Sequence, residues 1–549
     1  MRRLRPAGLA LVAALLATSC QPFPARGTGP TAASSASSAA RAARSPVAGG
    51  TFTEAVAGIA GYLNPLFADE DNARDIDSLV YQGLTQAGTD QQPKPLLARE
   101  IQLSADHLTY SVRLRGDVKW ADGQPFTVQD VLFTFGVLQD PNYTLPEAAV
   151  WKGVQVKKAA DDQVDFTLKA PSAAFPGSLR VGIIPKHLFQ GEVAAIPVNP
   201  ASGPKALGTG PYMVDSISSD RAVITLRRNP FAQPAPHLDR VVFRGYSSLD
   251  AAAAAVAEGV ADGVGGMLSP AQARLLARPG LSVHHLASFS FAAVFLDLDP
   301  THPYFSNPAV RRALGQAIDR QALIREVLQG RADAQTTSLP PSDWAWSSGA
   351  SQLFPYDPEA AQKALDEAGW TLPAQGLYRT ANGRDFVVEL VAADAYPYRD
   401  VARNLQRQLA AVGVGVRLKI VPVGQLVTRY LGVRSYQMAL ANLDNGPDPD
   451  QFSFWHSSQT GYPLNFSNLP RQGFIDKDLE DGRASPDRDA RIAAYTDLQT
   501  LLAGAAPALF LYEPHYEYAV NRRIGGAHFN PVVDAIDRFQ YVTDWYLAT

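Results

Sequence analysis

The sequence predicts a mixed α/β fold, and three observations carry that expectation. Strand-like and helix-like segments alternate along the chain, helix starts are marked by a capping residue followed by proline, and no repeat at solenoid periods interrupts the alternation. Of 549 residues, 46% are hydrophobic and 19% are charged, a balance that supports a sizeable packed core. A folded part of about 500 residues is long enough for two or three domains. The formal net charge of -4 gives no electrostatic case for nucleic acid, whose binders carry basic patches.

The chain opens with Arg2, Arg3 and Arg5, an apolar run from Ala7 to Ala17, and then Thr18 and Ser19 ahead of Cys20, its sole cysteine. That is the layout of a secretory signal. The run is shorter than the roughly 20 residues a helix needs to cross the hydrocarbon core of a bilayer. A thiol directly behind small residues at the cleavage point resembles a bacterial lipobox, which implies that Cys20 becomes a lipidated N-terminus. Acyl chains would then hold the protein at a membrane surface, each buried methylene contributing roughly 0.8 kcal/mol. With a single cysteine, intramolecular disulfides are excluded. Residues 21–49, rich in alanine, serine, glycine and proline, read as a flexible tether.

The folded part is expected to begin at the β-like run "GTFTEAVAG" from Gly50. In "LTYSVRLR", residues 108–115, Tyr110, Val112 and Leu114 share one face, the pattern of a half-buried strand. "RAVITLRRNPF", residues 221–231, reads the same way and ends at Pro230. Asn307 and Pro308 supply an N-cap and first-turn pair before Val310, Leu314, Ala317 and Ile318 fall at helical spacing. Asp357 and Pro358 repeat that start, and Gly369 supplies the stop.

Motifs for catalysis are missing. There is no GxSxG elbow, no HExxH and no phosphate-cradling GxxxxGK. His284 and His285 read as the polar face of a strand. The acidic clusters beginning at Asp69 and Asp444 depart from a calcium loop, whose sixth position is glycine and is here Arg74 or Pro449. No enzyme activity, catalytic residue, cofactor or metal is expected.

Five strings occur in order: "YLNPLFADEDNARDIDSLVYQGLT" at 62–85, "LTYSVRLRGDVKWADGQPFTVQDVLFTFGVLQDP" at 108–141, "GTGPYMV" at 208–214, "NPAVRRALGQAIDRQALIREVL" at 307–328 and "PDPDQFSFWHSSQ" at 447–459. Together they resemble the family five extracellular solute-binding proteins, the dipeptide and oligopeptide receptors of ABC importers. The resemblance runs from about residue 50 to the C-terminus. It implies a two-lobed, periplasmic-binding-protein-like α/β fold with a hinge and an extra subdomain in the first lobe. The first lobe would span 50–285, with the extra subdomain near 93–204. The second lobe would span 286–511, and a C-terminal segment, 512–549, would return to the first. Hinge closure in such proteins traps ligand in a shared cleft.

The resemblance also implies site residues. A segment after the "LNP" motif, here Asp69, Glu70 and Asp71, would pair with ligand backbone, and Asp444 would receive a peptide's α-ammonium. Trp455 follows the acidic loop at the cleft, and Trp344 and Trp346 lie in a loop-like stretch where aromatics face ligands. Trp120 and Phe126 read as packing of the extra subdomain, and Gly208, Gly210 and Pro211 as a tight turn. The implied protein is an extracytoplasmic, lipid-anchored monomer. It would capture peptides and deliver them to ABC permease subunits. Relatives of the same fold that carry nickel chelates, haem or oligosaccharides are the alternative, as is a surface signalling receptor or hydrolase.

Overall fold

The computed structural model describes residues 48–549 apart from 69, 146, 190, 300–302, 461–467, 531, 534 and 549. Cys20, the signal segment and nearly all of the tether lie outside the described residues, as does Asp69. Among the described residues no helix is long and apolar enough to cross a membrane.

The strands expected at 108–115 and 221–231 span Thr109–Leu114 and Val223–Arg228. The two proline-marked helices form at Pro308–Gln316 and Pro358–Glu367. Asn307 Oδ1 accepts from the Ala309 amide at 2.9 Å, and Asp357 Oδ1 from that of Ala360 at 2.8 Å. Each cap satisfies an amide that the first turn leaves without a helical partner. Gly369 ends the second helix with a φ of 86°, a left-handed conformation that glycine adopts at little cost.

A mixed sheet organises the rest, with 13 strands among the described residues. Its order is Gly415–Val421, Val387–Ala393, Met438–Asp444, Ser290–Leu296, Ala508–Asn521, Gly263–Gly266, β1 (Thr51–Ala57), Arg240–Tyr246, Val223–Arg228 and Tyr212–Ile217. The strand Ala508–Asn521 carries the sheet from one half of the protein to the other. Its first residues, Ala508 to Tyr512, pair with Ser290–Leu296, and His515 to Asn521 pair with Leu281–Ser288. Pro514 sits between the two stretches, where it removes a ladder donor. The Ser288 hydroxyl donates to the Pro514 carbonyl at 2.9 Å.

Buried side chains divide at this crossing. One pair of clusters draws on residues 52–281 and 518–545, including Phe52, Trp120, Phe135 and Trp545. The other pair draws only on residues 291–512, including Leu314, Leu390, Trp455 and Tyr495. The result is two lobes sharing one continuous sheet. Within the first lobe, a separate sheet of 4 antiparallel strands, between Ala98 and Thr167, is covered by the helix Val128–Leu138 through Phe135 and Phe166, whose rings lie 5.0 Å apart. Trp120 and Phe126 are both buried here, with ring centres 6.0 Å apart. Among the described residues, two hydrogen bonds join this side of the first lobe to the second: Gln91 Nε2 donates to Ser342 O at 2.8 Å, and the Ala173 amide to Arg483 O at 2.7 Å.

The "GTGPY" glycines serve close packing, a different basis from the turn conformation expected. Neither has a positive φ. A Cβ at Gly208 would lie 1.9 Å from Val80 O, and one at Gly210 would lie 2.4 Å from Leu79 O, so the loop rests directly on the end of the helix α1 (Asp71–Val80). Gly136, exposed within Val128–Leu138, meets nothing within 4 Å. Gly208→Ala should therefore destabilise the protein by about 3 kcal/mol, since the obstruction is backbone. Gly136→Ala should stabilise it by roughly 0.5–1 kcal/mol through helix propensity. Urea unfolding of the two variants beside wild type checks both signs.

Candidate functional site

β1 runs parallel to Arg240–Tyr246 in full register and meets Gly263–Gly266 in parallel at Glu54. Crevices outside the carboxyl ends of such strands are where open α/β sheets take ligands. A cavity of about 370 Å³ opens there, bounded by Glu54 to Ile59, Glu70 to Asn72, Asp75, Tyr516 and Arg538. Tyr516 belongs to Ala508–Asn521, two residues beyond Pro514, so the cavity adjoins the crossing between lobes.

The cavity wall is a buried ionic network. Arg538 grips Asp75 with both terminal nitrogens, at 2.6 and 2.5 Å, and reaches Glu54 Oε1 at 3.2 Å. The Tyr518 hydroxyl donates to Glu54 Oε2 at 2.8 Å. Burial pushes the Glu54 carboxyl up to about 7, against the opposing pull of Arg538 and the Tyr518 hydrogen bond. Two glycines make room for this packing. A Cβ at Gly263 would stand 2.3 Å from Glu54 Oε2, and one at Gly265 would stand 2.1 Å from the Tyr516 hydroxyl.

Of the residues expected at a site, Glu70 and Asp71 border this cavity. Glu70 is the N-cap of α1 in extended conformation, and Asp71 pairs with Arg74 at 2.8 Å, one turn along. Asp444 ends the strand Met438–Asp444 in the second lobe, paired in register with Ser290 at the crossing. It is exposed, and its Oδ1 accepts from the Gly446 amide at 2.8 Å. Asp444 does not border this cavity, whose lining among the described residues comes entirely from the first lobe and the C-terminal segment.

None of the three tryptophans borders this cavity. Trp455 is fully buried in the second-lobe core and donates its indole N–H to Gln451 Oε1 at 3.0 Å, while Gln451 Nε2 donates to Asn445 Oδ1 at 3.0 Å. It is tied to the acidic loop through Gln451 and has no exposed surface. Trp344 is half-buried, with the Arg488 and Arg491 guanidinium groups 4.8 and 5.1 Å from its ring. Trp346 is also half-buried, and both indole N–H groups lack a hydrogen-bond partner among the described residues. The loop aspartates are neutralised: Asp448 by Arg491 at 2.6 Å and Asp450 by Arg483 at 2.7 Å. Among the described residues no three His, Cys, Asp or Glu side chains are grouped to hold a metal ion.

Sequence reasoning missed Glu54, Asp75, Tyr516 and Arg538. One signal was present: in "TFTEAVAG" the alternation that buries Phe52 also buries Glu54. A carboxylate on the inner face of a strand needs a buried partner.

Two lobes sharing a crossing strand, with a polar cavity beside it, are the architecture of a solute-binding protein. The chain belongs to the bacterial extracellular solute-binding proteins, family 5, whose model matches residues 92–463. It is 26% identical over 512 residues to the oligopeptide-binding protein AppA of Bacillus subtilis, covering 92% of each chain. It is 27% identical over 461 residues to the glutathione-binding protein GsiB of Salmonella typhimurium, covering 81% of this chain and 85% of that one. The fold superposes on AppA in complex with a nonapeptide with a TM-score of 0.74 at 24% identity, covering 92% of this chain and 100% of that one. It superposes on NikA of Brucella suis in complex with Fe(III)-EDTA with a TM-score of 0.78 at 21% identity, covering 91% and 100%.

The position of Glu54 has a measurable consequence. Its carboxyl holds a proton more tightly folded, at about 7, than unfolded, at 4.5, so its contribution to stability is full below 4.5 and falls as pH rises between these values. Glu54→Gln keeps an acceptor for Tyr518 and cannot ionise. Relative to this variant, wild type should lose roughly 3 kcal/mol of stability from pH 4.5 to 8. Denaturant unfolding of both proteins at each pH measures the difference, and parallel curves would remove Glu54 from the account.

Proposed function

We propose that this protein is anchored by lipid at Cys20, captures peptides between its lobes and delivers them to the permease of an ABC importer. The observation that carries the reading is the polar cavity beside the crossing strand, at the carboxyl end of β1 and bordered by Glu70 and Asp71. AppA and GsiB, named for oligopeptide and glutathione binding, are consistent with it. The first lobe is taken as 50–285 with 512–549, and the second as 286–511. Rotation occurs where Phe289 and Pro514 interrupt the paired strands. In this reading the peptide backbone lies along Asp69 to Asp71, and its α-ammonium meets Asp444. A carboxylate oxygen that already accepts one amide still has capacity for another donor. Trp344 and Trp346 complete the cleft wall from the second lobe, and Trp455 acts through the loop it supports.

Calorimetry with one peptide in free and N-acetylated form tests the ligand assignment. A charge-assisted hydrogen bond is worth about 1.5–3 kcal/mol, so Asp444→Asn should weaken binding of the free peptide by about tenfold or more. Acetylation should weaken wild type far more than the variant. Equal binding of free and acetylated peptide to wild type would point to a non-peptide solute, which native mass spectrometry of protein from its own host would identify.

The anchor has its own test. Metabolic labelling with an alkyne fatty acid should tag wild type, and Cys20→Ala should abolish the label and release the protein from membranes. An unlabelled wild type would refute lipidation.

A further inference from the structure

The second lobe contains a small cavity of about 40 Å³, lined by none of the residues that border the first-lobe cavity. Its polar lining is Arg311, Arg312, Arg320, Thr336 and Ser351, with no carboxylate. Arg311 and Arg320 are only 3% and 8% exposed, and neither pairs with an acidic side chain among the described residues. Both donate to backbone carbonyls instead. Arg311 Nε reaches Ala505 O and Ala506 O at 3.0 Å each. Arg320 Nε reaches Phe510 O at 2.7 Å and Gln335 O at 3.0 Å, and its Nη1 reaches Gly315 O at 3.1 Å.

These bonds leave one nitrogen over. Arg320 Nη2 has no hydrogen-bond partner among the described residues, and it stands 4.0 Å from where a Cβ on Gly315 would project. Arg320 and Gly315 both line the cavity. Buried cations are ordinarily matched by an opposite charge, and carbonyl dipoles alone leave two of them uncompensated here. Burial lowers both guanidinium groups to about 10, so both stay charged at neutral pH.

We propose that this cavity holds a small inorganic anion of chloride's size, bound by Arg320 Nη2 and compensating the buried Arg311 and Arg320. A single water needs only about 10–15 Å³ of such volume, so the space suits a monatomic ion. The anion would tie the helix Pro308–Gln316 to the helix Arg488–Ala505 and to the first residues of Ala508–Asn521. It therefore stabilises the second-lobe end of the crossing strand.

Two measurements decide it. Wild-type crystals soaked in bromide should give an anomalous peak in the cavity within hydrogen-bond distance of Arg320 Nη2. In solution, at constant ionic strength, chloride should raise the melting temperature saturably over gluconate, which is too large to enter. Gly315→Ala places a methyl in the cavity at ordinary contact distance, 3.9 Å from Leu509 Cδ2, within a helix that favours alanine. This variant should fold at least as stably in gluconate and bind chloride about tenfold or more weakly, which reads as loss of the chloride increment. Absence of a bromide peak in the cavity would overturn the proposal. A chloride increment identical in wild type and variant would do the same. If the variant does not fold, the bromide crystals alone decide.

Discussion

The pairing of one strand, Ala508–Asn521, with partners from both lobes is the constraint on which the rest of the structure depends. Successive side chains of a strand point to opposite faces. Here Tyr516 and Tyr518 turn toward the cavity and Glu54, while Glu517 turns the other way. On that opposite face the Glu517 carboxylate meets His285 Nδ1 at 2.9 Å and Arg331 Nε at 3.2 Å. His285 comes from the first lobe and Arg331 from the second. Beside it, His515 Nε2 lies 2.9 Å from Asp333 Oδ2. Both faces of the strand are therefore fixed by charged groups that packing alone could not place.

Buried charge is used differently in the two lobes. In the first, Arg538 sits between Asp75 and Glu54, and burial leaves Glu54 ready to hold a proton near neutrality. In the second, the acidic loop is paired one to one with Arg483 and Arg491, and Asp448 and Asp450 thereby become parts of a frame. Removing one partner of such a pair leaves an uncompensated buried charge, a larger cost than losing the pair together. Glu70 and Asp71 at the start of α1 and Asp444 at the end of its strand stand instead at the ends of elements, and all three are exposed.

What the sequence made legible follows from the range of the interactions involved. The helix beginning after Asn307 could be read because its cap, its proline and its apolar spacing lie within a few residues of one another. The five ordered strings carried the family and with it the two-lobed α/β fold. Nothing local announces that Arg538 will meet Glu54 and Asp75, residues separated from it by 484 and 463 positions. Gly208 and Gly210 looked like turn residues because glycine serves turns and close packing equally well, and only the position of α1 distinguishes the two. Trp455 could be placed near an acidic loop but not above or below it, since a side chain supporting a loop and one facing its ligand have the same sequence neighbours.

The distribution of these contacts decides which of them a rotation of one lobe against the other would disturb. Glu54, Asp75, Arg538, Tyr516 and Tyr518 all belong to the first lobe or to the strand that enters it, so a rigid rotation of the lobes about Phe289 and Pro514 leaves their network intact. Such a rotation would strain or break contacts that span the lobes, among them Gln91 to Ser342, Ala173 to Arg483, Arg274 to Gln329, His515 to Asp333 and Arg331 to Glu517. The spanning contacts on the subdomain side are neutral hydrogen bonds, each worth only about 1 kcal/mol net, and are easily exchanged for water. The charged contacts lie at the crossing itself, where a rotation displaces atoms least. With neutral bonds away from the crossing and charged ones upon it, a hinge rotation of the kind such folds use would leave the polar wall beside the cavity its shape.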